Sequence, residues 1–99
     1  MYSKNGKQRR HLRSLGHDLR VLVQIGKAGL TGNVIEQIEN NLLAHELIKI
    51  KLPKLFGEDR KEFAGTISQE VNAEVVQIVG HNLLLYKPHP DKPTIKLPR

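Results

Sequence analysis

At 99 residues, with 38% apolar and 26% charged residues, the chain is long enough to close one hydrophobic core and too short for two. That composition excludes a disordered polymer, and the lack of cysteine excludes both a disulfide framework and a thiolate metal site. The formal charge of +6 is uneven: seven Lys or Arg stand against one Asp in residues 1–35, five against eight acids in residues 36–86, and four against one in residues 87–99. Such a field favours a polyanionic partner, and nucleic acid is the commonest for a small basic domain.

The opening stretch MYSKNGKQRRHLRSLG has no apolar middle of the secretory kind, and no apolar run reaches the roughly 20 residues of a membrane span. A cytoplasmic protein without membrane contact is expected. From Lys4 to Leu15 the spacing of Gln8, Leu12 and Leu15, continued by Leu19, predicts a helix with a thin apolar stripe, ended by Gly16. So narrow a stripe leaves Lys4, Lys7, Arg9, Arg10 and Arg13 as an exposed basic face, unless these are simply a solvated surface.

Leu19 to Ile25 predicts a strand with Val21, Val23 and Ile25 on one side, closed by Gly26. Thr31 suits the N-cap of a second helix that runs to about Ala44 on Val34, Ile35, Ile38 and Leu42. Leu47 to Leu52 alternates, with Ile48, Ile50 and Leu52 inward and Lys49 and Lys51 outward. A loop over Pro53 to Gly57 leads to Glu58 and Asp59 at the start of a third helix, whose buried face is Phe63, Ile67 and Val71.

Glu74 to Val79 and Leu83 to Tyr86 form a hairpin across Gly80, His81 and Asn82. Four of the five prolines lie beyond it, so residues 88–99 make a basic tail, held by Ile95 and Leu97. The expected fold is therefore a single α/β domain over residues 1–99, in the order α-β-α-β-α-β-β. Its four-stranded mixed sheet is covered on both faces, with the first helix over the second face.

Within this plan the segment VQIGKAGLTGNV stands out. Eight glycines supply about one GxxG pair by chance, so position rather than spacing carries the information. Gly26, Lys27, Ala28 and Gly29 lie between a strand and a capped helix, at the sheet edge where ligands usually bind. Helix-start N–H groups, the positive end of the helix dipole and a neighbouring lysine suit a phosphate. A tight turn alone explains one such glycine better than three, and Gly32 is assigned to the helix start. Neither the dinucleotide fingerprint nor the phosphate loop of NTPases is present.

GKAGLTGNVIEQIENNLLAHELIKIKL, together with HLRSLGHDLRVLVQI, VVQIVGHNLLLYKP and KLPR, resembles the YhbY-type RNA-binding proteins. Their domain is the CRM domain of chloroplast RNA splicing and ribosome maturation factors. The resemblance spans nearly the whole chain, departing at Gly32 and Asn33, where relatives more often carry an acidic residue and glycine. It implies a fold similar to the C-terminal domain of a bacterial translation initiation factor, and association with precursors of the large ribosomal subunit. It also implies that the GxxG loop, Gly26 to Gly29, contacts the RNA backbone, as in KH domains.

The expected partner is RNA, in the form of large-subunit rRNA or a pre-ribosomal particle, and the expected state is a monomer. Gly26, Lys27, Ala28 and Gly29 are its contacts, with Lys4, Lys7, Arg9, Arg10 and Arg13 tracking phosphates and Arg20, Lys51, His81 and Lys87 as further candidates. No catalysis, cofactor, metal or small-molecule substrate is expected. His11, His17, His45, His81 and His89 lack metal-ligand spacing, His45 and Glu46 point to opposite faces of an extended segment, and Ser14 with His17 lacks a third group. Tyr86 suits core or rim rather than a base-stacking platform. Two other readings are a small phosphoester- or nucleotide-binding enzyme using the same loop, and a protein-interaction module.

Overall fold

The computed structural model describes residues 5–54 and 59–98. Lys4, Glu58, Arg99 and most of the loop expected between Pro53 and Gly57 lie outside the described residues. The elements follow in the expected order: α1 (Gly6–Gly16), β1 (Val21–Gln24), α2 (Gly32–His45), β2 (Leu47–Lys51), α3 (Arg60–Val71), β3 (Glu74–Val79) and β4 (Asn82–Tyr86).

Each helix starts on a side chain that satisfies an orphan amide. Asn5 and Gln8 form a reciprocal capping box at α1, the Thr31 hydroxyl accepts from the Val34 amide at 3.2 Å, and the Asp59 carboxylate accepts from the Lys61 amide at 2.8 Å. Gly32 is the first helical residue of α2, as expected. The helix α3 ends on Asn72 in the left-handed conformation, a role asparagine tolerates.

The sheet has the order β1-β2-β4-β3. The strands β1 and β2 pair in parallel across the α2 crossover. The crossover through α3 carries the chain past one vacant position, and β4 fills it antiparallel to both neighbours. Gly80, at φ 59°, supplies the left-handed first position of the two-residue turn joining β3 to β4; Asn82 already belongs to the strand.

Strand alternation divides the core into two layers. Ile48, Ile50, Leu83 and Leu85 pack with Ile38, Leu42, Ile67 and Val71 beneath α2 and α3. On the opposite face Leu47, Val76, Leu84 and Tyr86 pack with Leu12 of α1, and Ile95 and Leu97 of the tail close its margin. Tyr86 is thus a core residue, and both faces of the sheet are covered, as expected.

Three local expectations are corrected. Gly16 is the last residue of α1 rather than the residue after it, since His17 takes the cap with ordinary right-handed dihedrals. A glycine is needed there for close approach, because a Cβ would lie 2.5 Å from Cδ2 of buried Leu84. The docking line of α1 is accordingly half-buried Gln8 with Leu12 and Gly16, and Leu15 and Leu19 are left 41% and 37% exposed. In β1 a bulge between Val21 and Val23 turns Val21 outward, leaving Val23 as its buried residue, with Ile25 buried just beyond the strand.

Gly16→Val should destabilise the fold by about 2 kcal/mol, since the added methyls enter a filled contact on Leu84. Calorimetric unfolding checks this, and a Tm equal to that of the unaltered protein would refute the close-approach role.

Candidate nucleic-acid interface

The parallel strands β1 and β2 end together, and Lys51 pairs with Asn82, so the turn after β1, the exit of β2 and the β3–β4 hairpin tip meet at one edge of the sheet. Hydrogen bonds fix this edge. The Ile25 amide donates to the Lys51 carbonyl at 2.9 Å, the Leu52 amide to the His81 carbonyl at 2.7 Å, and Nη1 of Arg60 to the Gly80 carbonyl at 2.6 Å. An open groove of about 1030 Å³ results, lined by Gly26, Lys27, Gly29, Lys51, Lys54 and His81 over an apolar floor of Ile25, Leu52 and Phe63.

The glycine turn forms one wall. The Gly29 amide donates to the Gly26 carbonyl at 3.0 Å, closing a four-residue turn that holds Lys27 and Ala28 exposed at its tip. Gly29 has φ 75°, a left-handed conformation that glycine adopts without strain. Gly26 does not share it: its φ is ordinary, and a Cβ there would meet nothing within 4 Å. The two glycines that flank the tip leave the backbone beside it open to a ligand from outside. Immediately beyond, the amides of Gly32 and Asn33 have no partner within α2, at the positive end of its dipole.

Of the expected site residues, the groove unites Gly26, Lys27, Gly29, Lys51 and His81, with Ala28 at the turn's tip. Lys7, Arg9, Arg10 and Arg13 are exposed on α1, across the sheet from α2 and α3. Two candidates lie elsewhere. Arg20 borders an apolar depression with Leu15, Leu19 and Leu22, at the start of β1. Lys87 is half-buried and its Nζ donates to the Val71 carbonyl at 3.0 Å, so it caps the C-terminus of α3.

Lys54 joins the groove without having been singled out; its signal was proximity to Lys51 beyond the single Pro53. Glu46 is the larger surprise. It is buried, caps α2 at φ 65°, and its carboxylate accepts from the amides of His89, Thr94 and Ile95 at 2.7–2.9 Å and from the Thr94 hydroxyl. Burial alone would raise its pKa, but these four bonds hold it down to about 2. Glu46 therefore clips the tail to the domain. Among the described residues no three His, Cys, Asp or Glu gather as a metal site would require, and no helix is long and apolar enough to cross a membrane.

Fold and groove define a small α/β domain that presents a glycine turn and converging cations at one sheet edge. Residues 5–87 match the CRS1 / YhbY (CRM) domain, and the chain belongs to that family. It is 38% identical to "Probable RNA-binding protein YqeI" of Bacillus subtilis, over 94% of this chain and 97% of that one. It is 39% identical to a Haemophilus influenzae protein named "RNA-binding protein", over 100% of this chain and 99% of that one. The solution structure of SAV1595 from Staphylococcus aureus superposes with a TM-score of 0.81 at 38% identity, covering 97% of this chain and 100% of that one.

Proposed function

We propose that this protein binds RNA without catalysing a reaction on it, associates in the cytoplasm with precursors of the large ribosomal subunit, and acts there as a monomer in assembly. The observation that carries the RNA reading is the groove: Lys27, Lys51, Lys54 and His81 converge beside a glycine turn, with no carboxylate among the described residues lining it. Such a surface meets a sugar-phosphate chain through charge and backbone approach. The names of the bacterial relatives support the same partner. The ribosomal assignment follows from the family resemblance in GKAGLTG, HELIK and GHNLLLYKP.

Gly29→Asp tests the turn. Aspartate tolerates the left-handed conformation better than most residues, and a Cβ at this position meets nothing within 4 Å, so the domain should remain folded at a backbone strain of about 1–2 kcal/mol, which a thermal melt checks. The new carboxylate should lower affinity for deproteinised large-subunit rRNA by about tenfold or more, corresponding to roughly 1.4 kcal/mol. Unchanged affinity in a filter-binding titration would remove the turn from the interface. Saturable, salt-tolerant binding of a free nucleotide would instead favour the enzyme reading. Sedimentation of a low-salt extract tests the ribosomal assignment, and recovery only at the top of the gradient would contradict it.

A further inference from the structure

A second depression lies around the edge from the groove, between the C-terminal end of α1 and the sheet. It is a cleft of about 260 Å³ lined by Arg13 and His17 of the α1 end, Lys49 of β2, Gln77 of β3 and Asn82 of β4. This is below the roughly 300–1,000 Å³ of small-molecule pockets, so a single anionic group suits it better than a whole metabolite. No carboxylate is found among the described residues lining it. Lys49 is half-buried and its Nζ stands 3.5 Å from the His17 carbonyl, a long contact that leaves most of its three donors available. Gln77 and Asn82 can add neutral amide donors to the same space.

The cleft and the groove are lined by neighbouring residues of the same strands. Leu47 faces the α1 layer, so the alternation of β2 places Lys49 and Lys51 on that side too, about 7 Å apart along the strand. Lys51 borders the groove, its register partner Asn82 borders the cleft, and His81 beside Asn82 borders the groove again. A strand leaving the glycine turn therefore meets Lys51, then Lys49 and Arg13, before it reaches the outer cations of α1.

We propose that this cleft is a second backbone-phosphate site of the RNA interface. Arg13 and Lys49 hold one phosphate group, Gln77 and Asn82 donate to its oxygens, and the site carries the strand from the glycine turn to α1. The inference rests on the RNA reading above. Its test uses deproteinised large-subunit rRNA with the full-length protein, titrated between about 50 and 200 mM salt. Lys49→Gln should weaken binding several-fold and reduce the salt slope by about 0.7–0.9, the share of one phosphate contact, while Lys49→Arg should restore both. Gln77→Glu leaves the Lys49–His17 contact in place and puts a carboxylate into the cleft, so it should weaken binding at an unchanged Tm.

Unaltered affinity and slope in Lys49→Gln and Gln77→Glu, with Gly29→Asp still impaired, would overturn the cleft and leave the RNA reading intact. Absence of rRNA binding by the unaltered protein would overturn both.

Discussion

Glu46→Gln is expected to lower stability by about 3 kcal/mol at neutral pH, a fall in Tm on the order of 15 °C for a domain of this size. Glutamine keeps one acceptor oxygen but turns a donor-only NH2 toward a backbone N–H that now donates to Glu46, so a buried pair of donors replaces a charge-assisted bond. The tail should come away with it. Trypsin should then cut readily after Lys96, and amide exchange at His89, Thr94 and Ile95 should accelerate. The carboxylate has a folded pKa near 2 against an ordinary 4.5, so its contribution is complete above about pH 4.5 and fades as pH falls toward 2. The gap in stability between the two proteins should narrow over that window. A gap that stays constant from pH 7 to pH 3 would show that the clip does not act through the charge.

The clip also marks the limit of what the sequence discloses. The carboxylate's partners are backbone amides 43–49 residues away, and amides carry no residue-type signature. What the sequence offers is an acidic residue between a helix and an apolar strand, which does not distinguish a buried clip from a solvated carboxylate. Gly16 was misplaced for a related reason: a glycine at a helix end is usually there for its dihedrals, and only the neighbouring Leu84 reveals a steric demand. That demand moved the docking line of α1 off Leu15 and Leu19, because hydropathy gives a missing side chain no weight.

The glycine turn, by contrast, could be located from local signals. A β-branched run, three glycines and a threonine cap place it at a strand-to-helix junction, and strand topology does the rest by bringing Lys51 and His81 to the same edge. A cation after a strand looks the same in sequence whether it faces RNA or, as Lys87 does, the carbonyl end of a helix. Lys49 was recognised as outward-facing, but its proximity to Arg13 depends on how α1 crosses the sheet, which periodicity does not encode.

Charge reversal of Lys7, Arg9 and Arg10 to glutamate together should reduce rRNA affinity by roughly a hundredfold near 0.1 M salt and lower the salt slope by about 2–3. The change removes six units of charge from a chain that carries +6. Folding cannot account for the loss: the three side chains are exposed, and the capping box of Asn5 and Gln8 is untouched. Lys7 lies in a first turn that holds no acidic residue, and glutamate near the N-terminus of a helix is worth about 0.3–1 kcal/mol. Tm should therefore hold or rise while binding falls, a combination that destabilisation does not produce. The geometry gives these residues their weight, because α1 lies across the sheet from α2 and α3, whose exposed Glu36, Glu39, Glu62 and Glu70 repel a polyanion. On the proposed reading, RNA seated in the groove would be driven away from that acidic layer and around the sheet edge onto α1. If the triple variant binds rRNA with unchanged affinity and slope, the strand leaves the groove in another direction, and the interface ends at the sheet edge.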